Sequence, residues 1–199
     1  DFADETAGES MAPGGGSIAA YVGTLGVSLG TMVANLSAHK AGWDDQWEFF
    51  SNWAVKGQAY KEQLLFLVDE DTHAFNKIID GFRMPKDTDD EKEARALAIE
   101  NATIYATEIP FKVMETAFQS MEVMQAMLKD GLQNSLSDAG VGVLCARTAV
   151  IGAYFNVRIN AKDIKNREFA EKILAKAASI YQQTIAIEND TIAYIDSKM

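Results

Sequence analysis

Residues 14–38 read GGGSIAAYVGTLGVSLGTMVANLSA, 25 residues without a charged side chain, and the reading of this stretch decides the fold. Ser17, Tyr21, Thr24, Ser28, Thr31 and Asn35 follow the alternating four-and-three spacing of a single helix face. Ala19, Ala20, Gly23, Gly26, Gly30 and Ala34 fill much of the remainder, so a neighbouring backbone or a flat ligand can approach closely. The polar stripe has two explanations. Its hydroxyls can bond back to carbonyls of their own helix, or they can line a ligand site. The stretch is also long enough to cross a bilayer, and Gly26-x-x-x-Gly30 has the spacing of a packed transmembrane pair. Its polar residues, the lack of flanking basic residues and the lack of a second span point instead to a buried central helix.

Working outward, the cluster Pro13–Gly16 breaks the chain after a short helix near Phe2–Glu9. Apolar spacing of period 3.6 then predicts helices over Asp44–Gly81, Thr88–Lys129, Ser137–Asn160 and Arg167–Ser197, and strand-like alternation bounded by hairpin turns is missing. Thr88 and Glu91 have the spacing of a capping box, and Pro110 should kink the helix that contains it. The expected fold is all-α, an up-and-down bundle of about five long helices forming one domain over residues 1–199.

A net charge of -11 and a pI near 4.6 argue against a nucleic-acid surface, which needs clustered Lys and Arg. The single cysteine, Cys145, excludes an internal disulfide and a Cys-rich zinc site, and makes a cytoplasmic location the expectation. Gly14-Gly15-Gly16-Ser17 lacks the preceding strand and the Lys of a phosphate loop. What remains is a glycine-rich helix start, favourable to an anion or a carbonyl oxygen. Glu70-x-x-His73 matches half of a di-iron motif, but His39 has Leu36 three residues before it, so no metal is expected. Met114, Met121, Met124 and Met127 read as core, and Cys145 as a small buried hydrophobe.

Two further faces carry polar groups where a core is expected. Leu64, Val68, Asp71, Phe75, Ile78 and Phe82 share one helix face, which Asp71 interrupts. A carboxyl buried there would have a raised pKa, as an acid or base working near neutrality requires, and Asp69 points about 200° away. The alternative is a structural carboxylate paired with another helix. Asp138, Cys145, Gly152 and Asn156 align roughly on a later helix, where Asp138 can equally serve as a cap, and Asn156 and Asn160 lie one turn apart.

Several ordered blocks resemble the formimidoyltetrahydrofolate cyclodeaminase / methenyltetrahydrofolate cyclohydrolase family. They are the run from Pro13 to Ala20, the run from Met32 to Ser37, the run from Val68 to Phe75, Met84-Pro85 with Lys92, Pro110, Ser137-Asp138, and the run from Gly152 to Asn160. The resemblance covers nearly the whole chain and departs from the family pattern at Leu132 and His39. It implies a homodimeric helical bundle that binds tetrahydrofolate and closes 5-formimidoyltetrahydrofolate to 5,10-methenyltetrahydrofolate with release of ammonia. It also implies a formimidoyltransferase as partner and a place in histidine degradation, with no cofactor beyond the folate substrate. Hydrolysis of methenyltetrahydrofolate to 10-formyltetrahydrofolate, or folate binding without chemistry, are the alternatives. Under this reading Asp71 is the acid/base, Gly14, Gly15, Gly16, Ser17 and the stripe through Asn35 seat the pterin, and Asp138, Asn156 and Asn160 orient it. Lys40, Lys112, Arg158, Lys162 and Lys165 are the candidates for holding the anionic folate tail.

Overall fold

The computed structural model describes residues 2–199. A short α1 (Phe2–Thr6) precedes five long helices: α2 (Gly15–Ala38), α3 (Trp47–Arg83), α4 (Asp89–Asp130), α5 (Leu136–Asn160) and α6 (Arg167–Asp196). Single 3-10 turns at Asp44–Gln46 and Gln133–Ser135 lead into α3 and α5. Among the described residues there is no strand, as the periodicity implies. The expected capping box opens α4, with Thr88 accepting from the Glu91 N–H and Glu91 accepting from the Thr88 N–H.

Helix α2 is the centre of the bundle and packs against α3, α5 and α4, while α6 covers α5 and part of α4. A helix with three neighbours has little room for long side chains, and this is where the small residues act. Helices α2 and α5 run antiparallel, with Gly26 against Gly142 at their closest approach. A Cβ on Gly26 would stand 2.7 Å from the Gly142 oxygen, and one on Gly142 would stand 2.8 Å from the Gly26 oxygen. The hydroxyls of the stripe mostly satisfy themselves: Thr24 donates to the Ala20 oxygen, Ser28 to Thr24 and Thr31 to Val27, at 2.7–3.0 Å. Close helix packing therefore explains the middle of this stretch.

One expectation needs correction. Helix α5, with its leading turn, is also long and apolar enough to cross a membrane, so α2 is not alone in this. Both are core helices, each with about half of its apolar window buried inside the bundle. Helix α4 continues across Pro110 from Asp89 to Asp130. Proline cannot donate to the carbonyl four residues back, which is that of Ala106. That oxygen instead accepts the Asn160 side-chain amide of α5 at 2.7 Å, so a fixed partner replaces the missing helical bond. Met114, Met121, Met124 and Met127 are all buried at 1% exposure or less and fill the core as expected.

Gly26→Ala should lower the unfolding free energy by about 1–2 kcal/mol, since overpacking against the rigid α5 backbone outweighs the helix-propensity gain of about 1 kcal/mol. The denaturation midpoint should fall at constant m-value, and an unchanged midpoint would show that the crossing has slack.

Candidate active site

Asp71 lies in the middle of α3, where its side chain meets the first turn of α2. Ser17, fully buried, donates its hydroxyl to Asp71 Oδ2 at 2.9 Å, and its backbone N–H also bonds the carboxylate. The fit depends on glycine, because a Cβ at Gly16 would fall 2.1 Å from Asp71 Oδ1. Burial pushes the Asp71 carboxyl above its ordinary 3.8, and the two Ser17 donors, which favour the charged form, offset that only in part. Asp69, by contrast, is exposed.

A cavity of about 150 Å³ opens beside Asp71. The backbone of Gly14, Gly15 and Gly16 forms one wall, and Asn156 and Asn160 from the last turns of α5 form another. Thr72, Phe75 and Ile78 of α3, Ala106 of α4 and the Met11-Ala12 segment complete it. Gly14 provides no side-chain cap, so first-turn N–H groups of α2 border the cavity. Both asparagine amides are oriented by backbone carbonyls: Asn156 Nδ2 donates to Gly152 at 2.9 Å and Asn160 Nδ2 to Ala106 at 2.7 Å. An amide nitrogen must face each carbonyl, which leaves the asparagine oxygens as the remaining acceptors. No Lys or Arg lines this cavity. Its polar character is a carboxyl, two side-chain amides and the N–H groups of a helix start, a set suited to a neutral or cationic heterocycle with both donor and acceptor edges.

The structure therefore brings together Gly14, Gly15, Gly16, Asp71, Asn156 and Asn160, with Ser17 behind Asp71 rather than in the cavity wall. It does not bring in Asn35 or Asp138. Asn35 lies 19 residues along α2 from Gly16, about 28 Å away, in a separate open groove with Ser28, Met32 and Lys61. Asp138 occupies the first turn of α5, the opposite end from Asn156. The four-and-three spacing identifies a shared face but not a shared depth along it. Phe75 and Ile78 were readable as neighbours of Asp71 on its face, whereas Met11, Ala12 and Ala106 carry no local signal. Of the candidate tail-binding cations, Lys40 stacks on the Trp43 ring at 4.2 Å, Arg158 lies over Tyr154, and Lys112 lines a groove between α4 and α6. Lys162 and Lys165 are in the turn after α5, and none of the five lines the Asp71 cavity.

Glu70, adjacent to Asp71 in sequence, pairs with His73 and accepts the hydroxyl of Tyr105 of α4. Hydrogen bonds from His73 and Tyr105 hold the Glu70 carboxyl below its usual range, and the Tyr105 hydroxyl is pushed up to about 12. Among the described residues, no group of three or more His, Cys, Asp or Glu is arranged to hold a metal.

Comparison with known proteins adds four findings. A family model described as Formiminotransferase-cyclodeaminase matches residues 1–179. Formimidoyltransferase-cyclodeaminase of Mus musculus is 35% identical over 182 residues, which cover 92% of this chain but 34% of that protein. The chain thus spans about a third of the length of this relative. Methenyltetrahydrofolate cyclohydrolase of Methylorubrum extorquens is 30% identical over 198 residues, 100% of this chain and 95% of that protein. The crystal structure of formiminotetrahydrofolate cyclodeaminase from Thermotoga maritima superposes with a TM-score of 0.80 over 99% of this chain and 92% of its own, at 22% identity, and confirms the fold.

The raised carboxyl of Asp71 has a consequence for stability. The folded protein holds that proton more tightly than the unfolded chain does. Stability therefore falls as pH rises from the ordinary 3.8 through the native value, and above it the cost of the buried charge is felt in full. Asp71→Asn removes that charge. Its denaturation midpoint relative to the unaltered protein should be higher at about pH 7 than at about pH 3, and a pH-independent difference would contradict the burial of this carboxylate.

Proposed function

The chain belongs to the formiminotransferase-cyclodeaminase family, and on that premise we propose that it converts 5-formimidoyltetrahydrofolate to 5,10-methenyltetrahydrofolate and ammonia. The observation that carries this reading is the half-buried Asp71 carboxyl, held at a helix start with its pKa raised, beside a cavity lined by Asn156 and Asn160. In the reaction, N10 attacks the protonated formimidoyl carbon on N5, forming a C–N10 bond and a tetrahedral carbon that bears an amino group. Ionised Asp71 takes the N10 proton and returns it to the amino group, the C–N bond breaks, and ammonia leaves with a cyclic methenyl cation behind. Charge is conserved, since one cation becomes another, and a single carboxyl performs both transfers. The attack is intramolecular, so holding N10 against the imine carbon supplies much of the rate. Proton transfer and orientation are the whole chemistry, and the proposal calls on no cofactor beyond the folate itself.

A second reading is favoured by the end-to-end match with the Methylorubrum cyclohydrolase. There Asp71 would activate a water that adds to the methenyl carbon, and cleavage of the C–N5 bond would give 10-formyltetrahydrofolate. The two are separated by supplying each folate in turn and following the methenyl absorbance together with ammonia release. In whichever reaction proceeds, Asp71→Asn should lower kcat by about 10²-fold or more with the helical spectrum unchanged. Full activity in that variant would remove Asp71 from the mechanism.

Homodimerisation, a formimidoyltransferase partner that supplies the substrate, a role in histidine degradation and a cytoplasmic setting belong to the same proposal. The partner is supported by the name of the longer mouse relative, which carries both activities. The dimer is supported by an outer face on the layer of α2 and α5, where Tyr21, Leu25, Met32 and Leu36 lie beside Val141, Leu144, Phe155 and Ile159, all more than a third exposed. Sedimentation equilibrium should give twice the chain mass, and Leu25→Glu combined with Leu144→Glu should give a monomer. A monomeric unaltered protein at micromolar concentration would refute the dimer.

A further inference from the structure

The cavity beside Asp71 is too small for a whole folate, since ligand sites for molecules of that size generally enclose about 300–1,000 Å³ and this one measures about 150 Å³. A second cavity of about 510 Å³ adjoins it and shares the walls formed by Met11, Ala12 and Phe75. Together the two fall within the usual range. The second cavity continues along α3 past Asn76 and Ile79 to Asp80 and Arg83, with Ser10 on its other side. Arg83 lies 12 residues beyond Asp71, about 18 Å along the helix. It provides the cation that the Asp71 cavity lacks.

We infer that this second cavity is the subsite for the arylamide-carboxylate tail of the substrate, with Phe75 and Ile79 against the aryl ring and Arg83 pairing with the carboxylate beyond it. This rests on the folate reading above and extends it to a residue outside the reacting centre. The geometry follows from the substrate: the aryl group is attached to N10, so an N10 placed beside Asp71 directs the ring across Phe75 towards the larger cavity. Phe75 contributes to both cavities, a half-buried aromatic at the junction, and Ile79 lies one helical turn further on. Asp80 is the competing charge. Its carboxylate is 3.7 Å from Arg83 Nη1, beyond hydrogen-bond range, and both side chains are about three-quarters exposed. The guanidinium therefore retains its donors for a bidentate carboxylate. The site also explains why the cations suggested by sequence lie elsewhere: the tail leaves along α3, away from Lys112 and the turn after α5.

The test compares two substrates on the full-length protein, 5-formimidoyltetrahydrofolate and the matching formimidoyl compound of tetrahydropteroate, which lacks the glutamate. Arg83→Met keeps the aliphatic stem of an exposed side chain and removes the charge. It should raise KM for the glutamate-bearing substrate about fivefold, leave kcat unchanged, and leave KM for the pteroate compound as it is in the unaltered protein. Arg83→Lys, which keeps the charge but not the two-pronged donor, should restore part of the difference. An unchanged KM for the glutamate-bearing substrate, or an equal rise for both substrates, would overturn the subsite while the folate reading stands. If the unaltered protein bound and converted neither compound, the folate reading would fall and this assignment with it.

Discussion

The contact between Asp71 and the first turn of α2 is the interaction on which the rest of this structure is organised. A carboxylate cannot be buried in an all-helical core without donors, and α2 supplies them from Ser17, once through its hydroxyl and once through its backbone. A helix start is a favourable place for this, because its N–H groups have no carbonyl partners and its dipole favours negative charge. The donors can reach the carboxylate only because position 16 has no side chain. On its inner sides α2 is packed against α3, α4 and α5, which leaves no room there for a long charged residue, while its outer face carries the exposed Tyr21, Leu25, Met32 and Leu36. Its one charged partner in the core comes from outside it, from α3.

A second chain of causes fixes the opposite wall. Pro110 removes a helical donor within α4, which leaves the Ala106 oxygen available, and Asn160 takes that oxygen from across the α4–α5 interface. A residue that looks like a helix breaker thus serves to attach one helix to the next. It also fixes the Asn160 amide by one of its two N–H donors, so that its oxygen and second N–H remain free for a ligand. Asn156, a turn earlier, is set in the same sense by the Gly152 oxygen of its own helix. The asparagines are therefore oriented before any ligand arrives, which is what a precise binding wall requires.

Most of the fold was legible because its signals are local. Gly and Pro clusters, a capping box and 3.6-residue periodicity place the five long helices to within a few residues at each end. The site was half legible for a physical reason. Asp71 is conspicuous because it interrupts an apolar face, and Asn156 and Asn160 because two amides lie a turn apart. Asn35 and Asp138 share faces with true cavity residues but are placed at the far ends of their helices, and a helical wheel discards that axial coordinate. Ser17 lies on the expected face but acts on Asp71 rather than on the cavity. Met11, Ala12 and Ala106 become wall residues only through tertiary packing, and no spacing rule reports it. Pro110 was legible as a special position, while its actual consequence depended on a partner 50 residues further along the chain.

The electrostatics of the cavity suit the species that the two proposed reactions have in common. Cyclodeamination ends at the methenyl cation and cyclohydrolysis begins with it. Positive charge delocalised over N5, the bridging carbon and N10 is best held by acceptors and a carboxylate, with no ammonium or guanidinium close by. The cavity has this composition, in that Asp71 and the amides of Asn156 and Asn160 line it while no Lys or Arg does. The raised proton affinity of Asp71 is consistent with this, because a neighbouring cation would favour the charged carboxylate and remove the penalty of burial. One pocket can thus serve either direction of chemistry at the same carbon. The two reactions differ in the nucleophile that would stand beside Asp71, N10 of the substrate in one and a water in the other.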